Sequence, residues 1–147
     1  MMIRKMTNED IHWVFKIEEE SFSIPWSISS FEKELLNEVT YYIVAEIDGK
    51  IVGYMGMWNI LGEGQITNIA VATEHRGKGI GKALLRHILD YAKQINIKRL
   101  FLEVRESNLI ARKLYENHGF YAIARRKTYY RKPIEDAIVM MTELVPE

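Results

Sequence analysis

Apolar residues recur at two different spacings along this chain, and the spacing predicts its elements. Helical spacing predicts four helices. The first is opened by a Thr7–Asp10 capping box and ends before Pro25, and the second is capped by Ser27. The third covers 80–94, and the fourth covers 107–119 with Gly119 at its C-cap. Strand-like runs occupy 2–6, 41–47, 50–60, 65–72, 99–104, 120–126 and 136–144, the second and third joined by a turn at Asp48-Gly49. We therefore predict one α/β domain over 1–147, with a twisted, largely antiparallel mixed sheet flanked by helices.

Composition narrows the classes of function. A hydrophobic content of 48% with 27% charged residues is typical of a globular domain. Twenty lysines and arginines balance twenty acidic residues, so no overall field attracts nucleic acid or an anionic membrane. The absence of cysteine excludes disulfides and thiolate metal sites, and the four histidines lack ligand spacing, so we expect no metal. Without a signal peptide or a membrane-length apolar run, we expect a cytoplasmic protein.

The segment RGKGIG, at 76–81, lies between a predicted strand and a predicted helix. A helix N-terminus attracts anions through its unpaired N–H groups and its dipole, and glycines let a phosphate approach the backbone closely. The segment matches neither a Walker A loop, which needs glycine where Arg76 stands, nor a dinucleotide fingerprint, which needs glycine where Lys82 stands. From these residues alone, a phosphate cradle and a glycine-rich turn without a ligand both remain open.

The wider context resembles the Gcn5-related N-acetyltransferase superfamily. The family's coenzyme signature, Arg/Gln-x-x-Gly-x-Gly/Ala, is matched by Arg76, Gly79 and Gly81, with NIAV before it and LEVR and LYENHGF after it. Further matches are similar to the RimI-type ribosomal-protein-alanine N-acetyltransferases: PWS at 25–27, NIAV at 68–71, LEVR-x-SN at 102–108, LYE at 114–116, GF at 119–120, RR-x-x-YY at 125–130 and EDAIVM at 135–140. The resemblance covers nearly the whole chain.

This resemblance implies a transfer of the acetyl group from acetyl-coenzyme A to an amine. Backbone amides at 77–82 would hold the pyrophosphate, and the strand segment 69–71 would lie along the pantetheine arm. The coenzyme-binding residues it implies are Ile69, Ala70, Val71, Arg76, Gly77, Lys78, Gly79, Ile80, Gly81, Lys82 and Asn108. The implied acceptor is the N-terminal alanine of a small-subunit ribosomal protein, with no direct binding of nucleic acid or membrane.

Two residues are candidates for the chemistry. Alternation in RLFLEVR places Glu103 on the same sheet face as Phe101, which by itself is typical of an exposed strand carboxylate. Tyr115 follows Ala111 at helical spacing and is equally typical of a core aromatic. The resemblance implies that Glu103 is the general base and that Tyr115 is the acid that protonates the coenzyme A thiolate. Asn108 caps the helix that carries Tyr115 in either interpretation.

The stretch RRKTYYRK, at 125–132, interleaves five basic residues with two tyrosines, a mixture found in nucleic-acid-binding surfaces. The zero net charge and the lack of a nucleic-acid motif argue against that function. The resemblance instead implies that Tyr129 and Tyr130 belong to a loop beside the acceptor peptide, with Pro25 and Trp26 on the opposite wall. A core anchor after a proline turn is the other interpretation of Trp26.

Two alternative functions remain at this stage. One is an acetyltransferase of the same family that acts on lysine, a polyamine or another small amine. The other is a coenzyme-binding or RNA-binding module without catalysis. The presence of both Glu103 and Tyr115 argues against the second alternative, because a binding module needs neither a base nor an acid.

Overall fold

The protein contains one seven-stranded sheet. The structure, a computed structural model, describes residues 1–144. The strand order is β1-β2-β3-β4-β5-β7-β6. The strands are β1 (Met2–Lys5), β2 (Thr40–Ile47), β3 (Lys50–Ile60), β4 (Glu63–Val71), β5 (Arg99–Arg105), β6 (Tyr121–Arg131) and β7 (Ile134–Glu143). The helices are α1 (Ile11–Ser21), α2 (Ile28–Leu36), α3 (Ile80–Gln94) and α4 (Leu109–Glu116). The end of the predicted 1–147 domain, at 145–147, lies outside the described residues.

Neighbouring strands are antiparallel except for β4 and β5, which are parallel. This confirms the predicted α/β class and the largely antiparallel sheet. The parallel pair is short, because only Glu63–Arg99, Gly64–Leu100 and Gln65–Phe101 face each other in register. Beyond Gln65 the two strands diverge, and the sheet is open between them.

Two apolar cores cover the two faces of the sheet. On one face, α3 buries its stripe of Ile80, Leu84, Leu85, Ile88 and Ala92 against the sheet, and α4 adds Tyr115 to the same core. On the other face, α1 and α2 pack Val14, Ile17 and Phe31 against buried side chains of β2 and β3. No helix in the described residues is long and apolar enough to cross a membrane.

Local capping follows the sequence closely. The Thr7 amide donates to Asp10 Oδ2 at 2.8 Å, but this capping box opens a 3₁₀ turn at Asn8–Asp10 that continues into α1. The Ser27 hydroxyl accepts from the Ser30 amide at 3.0 Å, as its predicted role as N-cap of α2 requires. The last helix is shorter than the predicted 107–119 and leaves Gly119, at φ +90°, three residues beyond its end.

The prediction for β6 is wrong at its C-terminal end. The strand was predicted over 120–126, whereas it extends to Arg131 because Tyr130 and Arg131 pair with Glu135 and Ile134 of β7. Nearly every side chain of β6 is exposed. The strand therefore lacks the burial pattern from which its length could be predicted.

A β-bulge distorts the centre of the sheet where β3 pairs with β4. Met55 faces Ile69 and Met57 faces Ile66, so Gly56 stands opposite both Thr67 and Asn68. Gly56 also lies under the ring of Tyr42, and a Cβ built there would be 2.1 Å from Tyr42 Cε2. Bulges of this kind redirect side chains, and this one directs the Thr67 and Asn68 side chains into hydrogen bonds with residues on the α1 and α2 side.

Gly56→Ala is expected to destabilise the protein by about 3 kcal/mol or more, as overpacking of a rigid core does. The Tyr42 ring cannot retreat easily, because its hydroxyl donates to Glu34 Oε1 at 2.8 Å. Gly81→Ala is the matched control, since a Cβ there meets only Leu114 and Val71 at 3.8 and 3.9 Å, which are ordinary contacts. Urea unfolding of both variants measures the difference. A Gly56→Ala protein as stable as the parent would contradict this account of the bulge.

Candidate active site

The loop before α3 has the properties of an anion site. Gly77 and Gly79 have φ values of +77° and +81°, in the left-handed region that favours glycine. The backbone amides of 77–82 donate to no other group in the part of the chain that the structure describes, whereas the amide of Ala83 donates to the Gly79 carbonyl at 3.1 Å. A run of free amides at a helix N-terminus is the arrangement that binds phosphate.

The glycines of this loop are not equivalent. A Cβ on Gly77 or Gly79 would meet nothing within 4 Å, so open space lies in front of both. Gly81 lies inside α3, where a Cβ would make ordinary contacts. The sequence pattern treats Gly79 and Gly81 alike, but only the former requires glycine for its backbone conformation.

The basic residues of the loop also differ from one another. Arg76 Nε donates to the Val71 carbonyl at 3.1 Å, and its Nη2 donates to the Ser21 hydroxyl at 3.2 Å. Arg76 therefore ties the loop to the end of β4 and to α1. Lys78 and Lys82 are exposed beside the free amides. These two side chains are the ones that would add positive charge around a bound anion.

The opening in the sheet begins next to this loop. Ile69, Ala70 and Val71 pair with β3 on one side, facing Met55, Tyr54 and Gly53. On the other side they face no residue of β5 in register, because the β4–β5 ladder ends at Gln65. Unpaired strand edges offer both amides and carbonyls. This edge thus suits a ligand that itself contains amide groups, as the predicted pantetheine arm does.

Glu103 lies on β5 at the same opening, on the α1 and α2 side of the sheet. Its Oε2 accepts from Gln65 Nε2 at 2.7 Å, and its Oε1 lies 3.6 Å from Arg126 Nε. The side chain is half-buried, at 18% exposure. The strand alternation was therefore predicted correctly, and Glu103 is less exposed than an ordinary surface carboxylate. Gln65 was missed, because only the register of the parallel pair brings it to this face.

Tyr115 is buried, with 4% of its surface exposed, and its ring centre lies 5.7 Å from that of Phe120. It is thus a core aromatic, as its helical spacing predicted. Burial raises the pKa of its hydroxyl, and the nearby Tyr130 adds to the rise. The phenol therefore stays protonated well beyond neutral pH, and burial makes it a weaker acid than an exposed phenol. Asn108 Oδ1 accepts from the Ala111 amide at 3.2 Å and so caps the helix that carries Tyr115.

The prediction of an acceptor loop at Tyr129 and Tyr130 needs one correction. Tyr129 and Tyr130 lie in strand β6 and not in a loop, beside a bulge where Thr128 has φ +49°. The ring of Tyr130 stacks under the guanidinium of Arg105, whose central carbon lies 4.3 Å from the ring centre. Stacking and strand pairing together fix the place of Tyr130, which explains why this segment is ordered like a strand.

Pro25 and Trp26, predicted for the opposite wall of the acceptor site, lie in the connection between α1 and α2. The ring centre of Trp26 lies 5.5 Å from that of Phe31, so its core-anchor interpretation is correct for the ring. The α1–α2 connection contacts the β6–β7 turn where the Ser23 hydroxyl donates to the Lys132 carbonyl.

Free amides at a helix N-terminus, beside a sheet whose parallel strands stop pairing, fit the acyl-coenzyme A site that the resemblance implied. The chain belongs to the acetyltransferase (GNAT) family, whose model matches residues 9–120. GNAT acetyltransferases use acetyl-coenzyme A as their donor.

Several relatives and structures resemble the chain over nearly its full length. A Bacillus subtilis (strain 168) protein named "Putative ribosomal protein bS18-alanine N-acetyltransferase" is 43% identical over 139 residues, which cover 94% of this chain and 92% of that protein. The crystal structure of the ribosomal-protein-S18-alanine N-acetyltransferase from Escherichia coli matches with a TM-score of 0.92 at 30% identity, over 99% of this chain and 95% of that one. The NatC complex bound to Gag peptide and CoA matches with a TM-score of 0.82 at 26% identity, over 99% and 100%.

Gly79→Val tests the anion loop. A branched side chain would fill the open space in front of the free amides and resist the left-handed backbone, so we expect coenzyme A affinity to fall by roughly 100-fold or more. Gly49→Val is the matched control, because Gly49 has φ +78°, has nothing within 4 Å of a Cβ, and lies in the β2–β3 turn, outside the run of free amides. Both variants carry a similar backbone strain of about 1–3 kcal/mol. Calorimetry should show the loss only for Gly79→Val, and equal affinities would refute the loop assignment.

Proposed function

We propose that this protein acetylates the α-amine of an N-terminal alanine, with ribosomal protein bS18 as the acceptor and acetyl-coenzyme A as the donor. The observation that carries this proposal is the match to relatives named for bS18-alanine acetylation, at 43% identity over 94% of this chain and 92% of the relative. An acceptor that belongs to the ribosome makes the reaction cytoplasmic. Neither a nucleic acid contact nor a metal is part of the proposal.

In this proposal, acetyl-coenzyme A is bound mainly by backbone groups and less by side chains. The amides of 77–82 bind the pyrophosphate, and the free edge of Ile69, Ala70 and Val71 binds the pantetheine amides. Acetyl-coenzyme A supplies the acetyl group as a thioester. Asn108 contacts the coenzyme from the start of α4, and Lys78 and Lys82 add charge at the loop. The free amides, the open space and the diverging strands support this assignment.

Glu103 is the general base. A protein α-amine has a pKa near ~7.7–8.0 against ~10.4 for lysine, a gap that corresponds to roughly 3.4 kcal/mol less work of deprotonation. A carboxylate is therefore a sufficient base for an N-terminal amine, directly or through water. The bond from Gln65 occupies Oε2. Oε1, held only by the longer Arg126 contact, is the oxygen we assign to proton transfer.

Tyr115 is the general acid. Attack by the amine on the thioester carbonyl breaks the C–S bond, and the departing thiolate takes a proton from the Tyr115 hydroxyl. The hydroxyl carries its proton at neutral pH, as a general acid must. A base on β5 and an acid on α4 then serve the same substrate from opposite sides of the open sheet. The acetyl group passes directly to the amine, without an acyl-enzyme intermediate.

The acceptor lies between the two walls. Pro25 and Trp26 form one wall, and Tyr129 and Tyr130 form the other. The contact between Ser23 and Lys132 bridges the walls, so an acceptor enters as a narrow, extended chain end. A free N-terminus has this shape, whereas a lysine on a folded surface must first reach under the bridge. This feature favours an N-terminal amine over the lysine alternative.

Two synthetic peptides test the proposal with the purified protein. The first begins with the bS18 N-terminal alanine, and the second has the same sequence with its α-amine already acetylated and a lysine side chain left free. We expect acetyl transfer to the first at least 100-fold faster, measured by coenzyme A release and mass spectrometry. Polyamines serve as a third acceptor. Faster transfer to the blocked peptide or to a polyamine would contradict the proposal.

A further inference from the structure

Glu18 is a buried carboxylate that the reaction described above does not use. It lies on α1 among apolar residues, with 2% of its surface exposed. Its Oε2 accepts from the Trp26 backbone amide at 2.8 Å, and its Oε1 accepts from Asn68 Nδ2 at 3.0 Å. The hydroxyl of Tyr54 also donates to Oε1. Three donors from three different elements therefore converge on one side chain.

The chemistry of this cluster suits a carboxylate side chain. All three partners are donors, and a carboxylate has acceptor sites on both of its oxygens. Tyr54 keeps its proton for this bond, because burial, and then the neighbouring charge of Glu18, raise the pKa of its hydroxyl. Glutamate is almost never fully buried without a partner, and a buried charge seldom stabilises a fold better than apolar residues do. The burial of Glu18 in this core therefore suggests a role in function.

The partners of Glu18 belong to two different parts of the candidate site. Trp26 lies in the α1–α2 connection, the proposed acceptor wall. Asn68 lies in the β4 bulge, directly before the strand segment 69–71 proposed to hold the coenzyme. No strand ladder joins these two parts. We call the segment 68–71 of β4 the coenzyme strand. The Glu18 side chain accepts one hydrogen bond from the acceptor wall and one from the coenzyme strand, and so links them.

We propose that Glu18 is a positioning residue that sets the distance between the acceptor wall and the coenzyme strand. The amine must approach the thioester carbonyl in a near-attack geometry, and a displacement of about 1 Å can cost about 10²-fold in rate. The inference rests on the proposed function for the roles of the acceptor wall and the coenzyme strand. It adds a residue that touches neither substrate but holds the parts that touch each of them.

Glu18→Gln and Glu34→Gln form the test pair. A glutamine at 18 presents one acceptor and one donor, so at least one of the three donors loses its partner. Glu34 is the matched control, because it also accepts from two side chains, Tyr42 and Trp58, at 2.8 and 2.7 Å. It makes no direct bond to the α1–α2 connection or to β4 among the described residues, and its link to Asn68 passes through Tyr42 and Thr67. The same chemical change at 34 leaves the bonds from Trp26 and Asn68 to Glu18 in place.

The measurements are kcat and KM for the alanine peptide, the Kd of coenzyme A by calorimetry, and the melting temperature. For Glu18→Gln we expect kcat to fall roughly 10- to 100-fold and the peptide KM to rise, while the coenzyme A Kd changes less than about threefold. Glu34→Gln should keep all three constants within about threefold. A structural role alone would lower the active fraction and leave the KM of the folded protein unchanged.

A second variant keeps the test decisive if Glu18→Gln fails to fold. Asn68→Ala removes only the coenzyme-strand partner of Glu18 and should change kcat and KM in the same direction. In the double variant, the two effects on kcat/KM should be less than additive, because both break one bridge. Unchanged kcat and KM in a folded Glu18→Gln or Asn68→Ala protein would overturn the inference.

The parent protein separates this inference from the proposed function. If the parent acetylates the alanine peptide and Glu18→Gln does so equally well, the inference alone fails. If the parent prefers another amine, the proposed acceptor is wrong, and the same comparison is then made with that amine. Glu18 still bridges the acceptor wall and the coenzyme strand in that case, so the expected change in kcat is the same.

Discussion

Glu103→Gln is expected to lower kcat by roughly 10²–10⁴-fold while coenzyme A binding survives. Glutamine has the size of glutamate and still accepts the bond that Gln65 donates at 2.7 Å, so the local structure is retained. It cannot take a proton from the amine. The variant should therefore depend on acceptor molecules that have already lost their proton in solution. Its rate should rise with pH up to the α-amine pKa of ~8 and stay below the parent's, because the attacking nitrogen must still lose a proton and no carboxylate takes it.

The matched control for this prediction is Glu63→Gln. Glu63 is also a carboxylate on the sheet, and it accepts from Arg99 Nη2 at 2.7 Å with 45% of its side chain exposed. An exposed ion pair of this kind contributes little, so the control should keep the parent's activity and stability. Steady-state rates across the pH range measure both variants. A Glu103→Gln protein with the parent's rate and pH profile would leave Glu103 as an ordinary strand residue.

Much of this architecture was predictable because burial repeats at a regular spacing. Helix α3 buries one side only, so the 3.6-residue period appears in the sequence. Strands β2 and β3 are buried on both faces and appear instead as continuous apolar runs joined by the Asp48-Gly49 turn. The free amides before α3 were predictable for a different reason. Glycine is needed at left-handed backbone positions such as Gly77 and Gly79, and a helix begins directly after them.

The residues that the sequence did not reveal depend on contacts between distant segments. Gln65 reaches Glu103 only through the register of two parallel strands, which no local pattern contains. Tyr129 and Tyr130 lie in a strand that is exposed almost throughout, so its length leaves no periodic signal. Glu18 differs, because it follows Ile11 and Val14 at helical spacing and therefore lies on the buried stripe of α1. Its place in a run of three glutamates, which is typical of a solvated helix face, hides that spacing in the sequence.

Glu18 and Glu103 also show how two glutamates in one protein take different roles. Glu18 has both oxygens occupied by donors and 2% exposure, so it has no free acceptor for a substrate proton. Glu103 has one oxygen bonded to Gln65 and the other 3.6 Å from Arg126, beside the opening in the sheet. The first is suited to hold structure in place, and the second is suited to exchange a proton. The two glutamates thus differ in how many of their carboxylate oxygens already accept a hydrogen bond.

Tyr115→Phe is expected to lower kcat by roughly 10²-fold or more, with stability and coenzyme A affinity close to those of the parent. Phenylalanine keeps the ring that packs beside Phe120 and removes only the hydroxyl. Tyr41→Phe is the matched control. It removes a phenol hydroxyl at the edge of the same core, where that hydroxyl pairs with His87 Nε2 at 3.1 Å, and it should leave kcat unchanged.

A change of donor then separates proton donation from packing. An acetyl thioester of a more acidic thiol needs less protonation as it departs, so it should restore part of the lost rate in Tyr115→Phe and do little for the parent. Saturation curves for each donor keep differences in binding out of the comparison. Because burial raises the pKa of Tyr115, the parent should also keep its activity as the pH approaches ~10, where an exposed phenol ionises. Equal rates for the variant and the parent on acetyl-coenzyme A would mean that Tyr115 serves only the core.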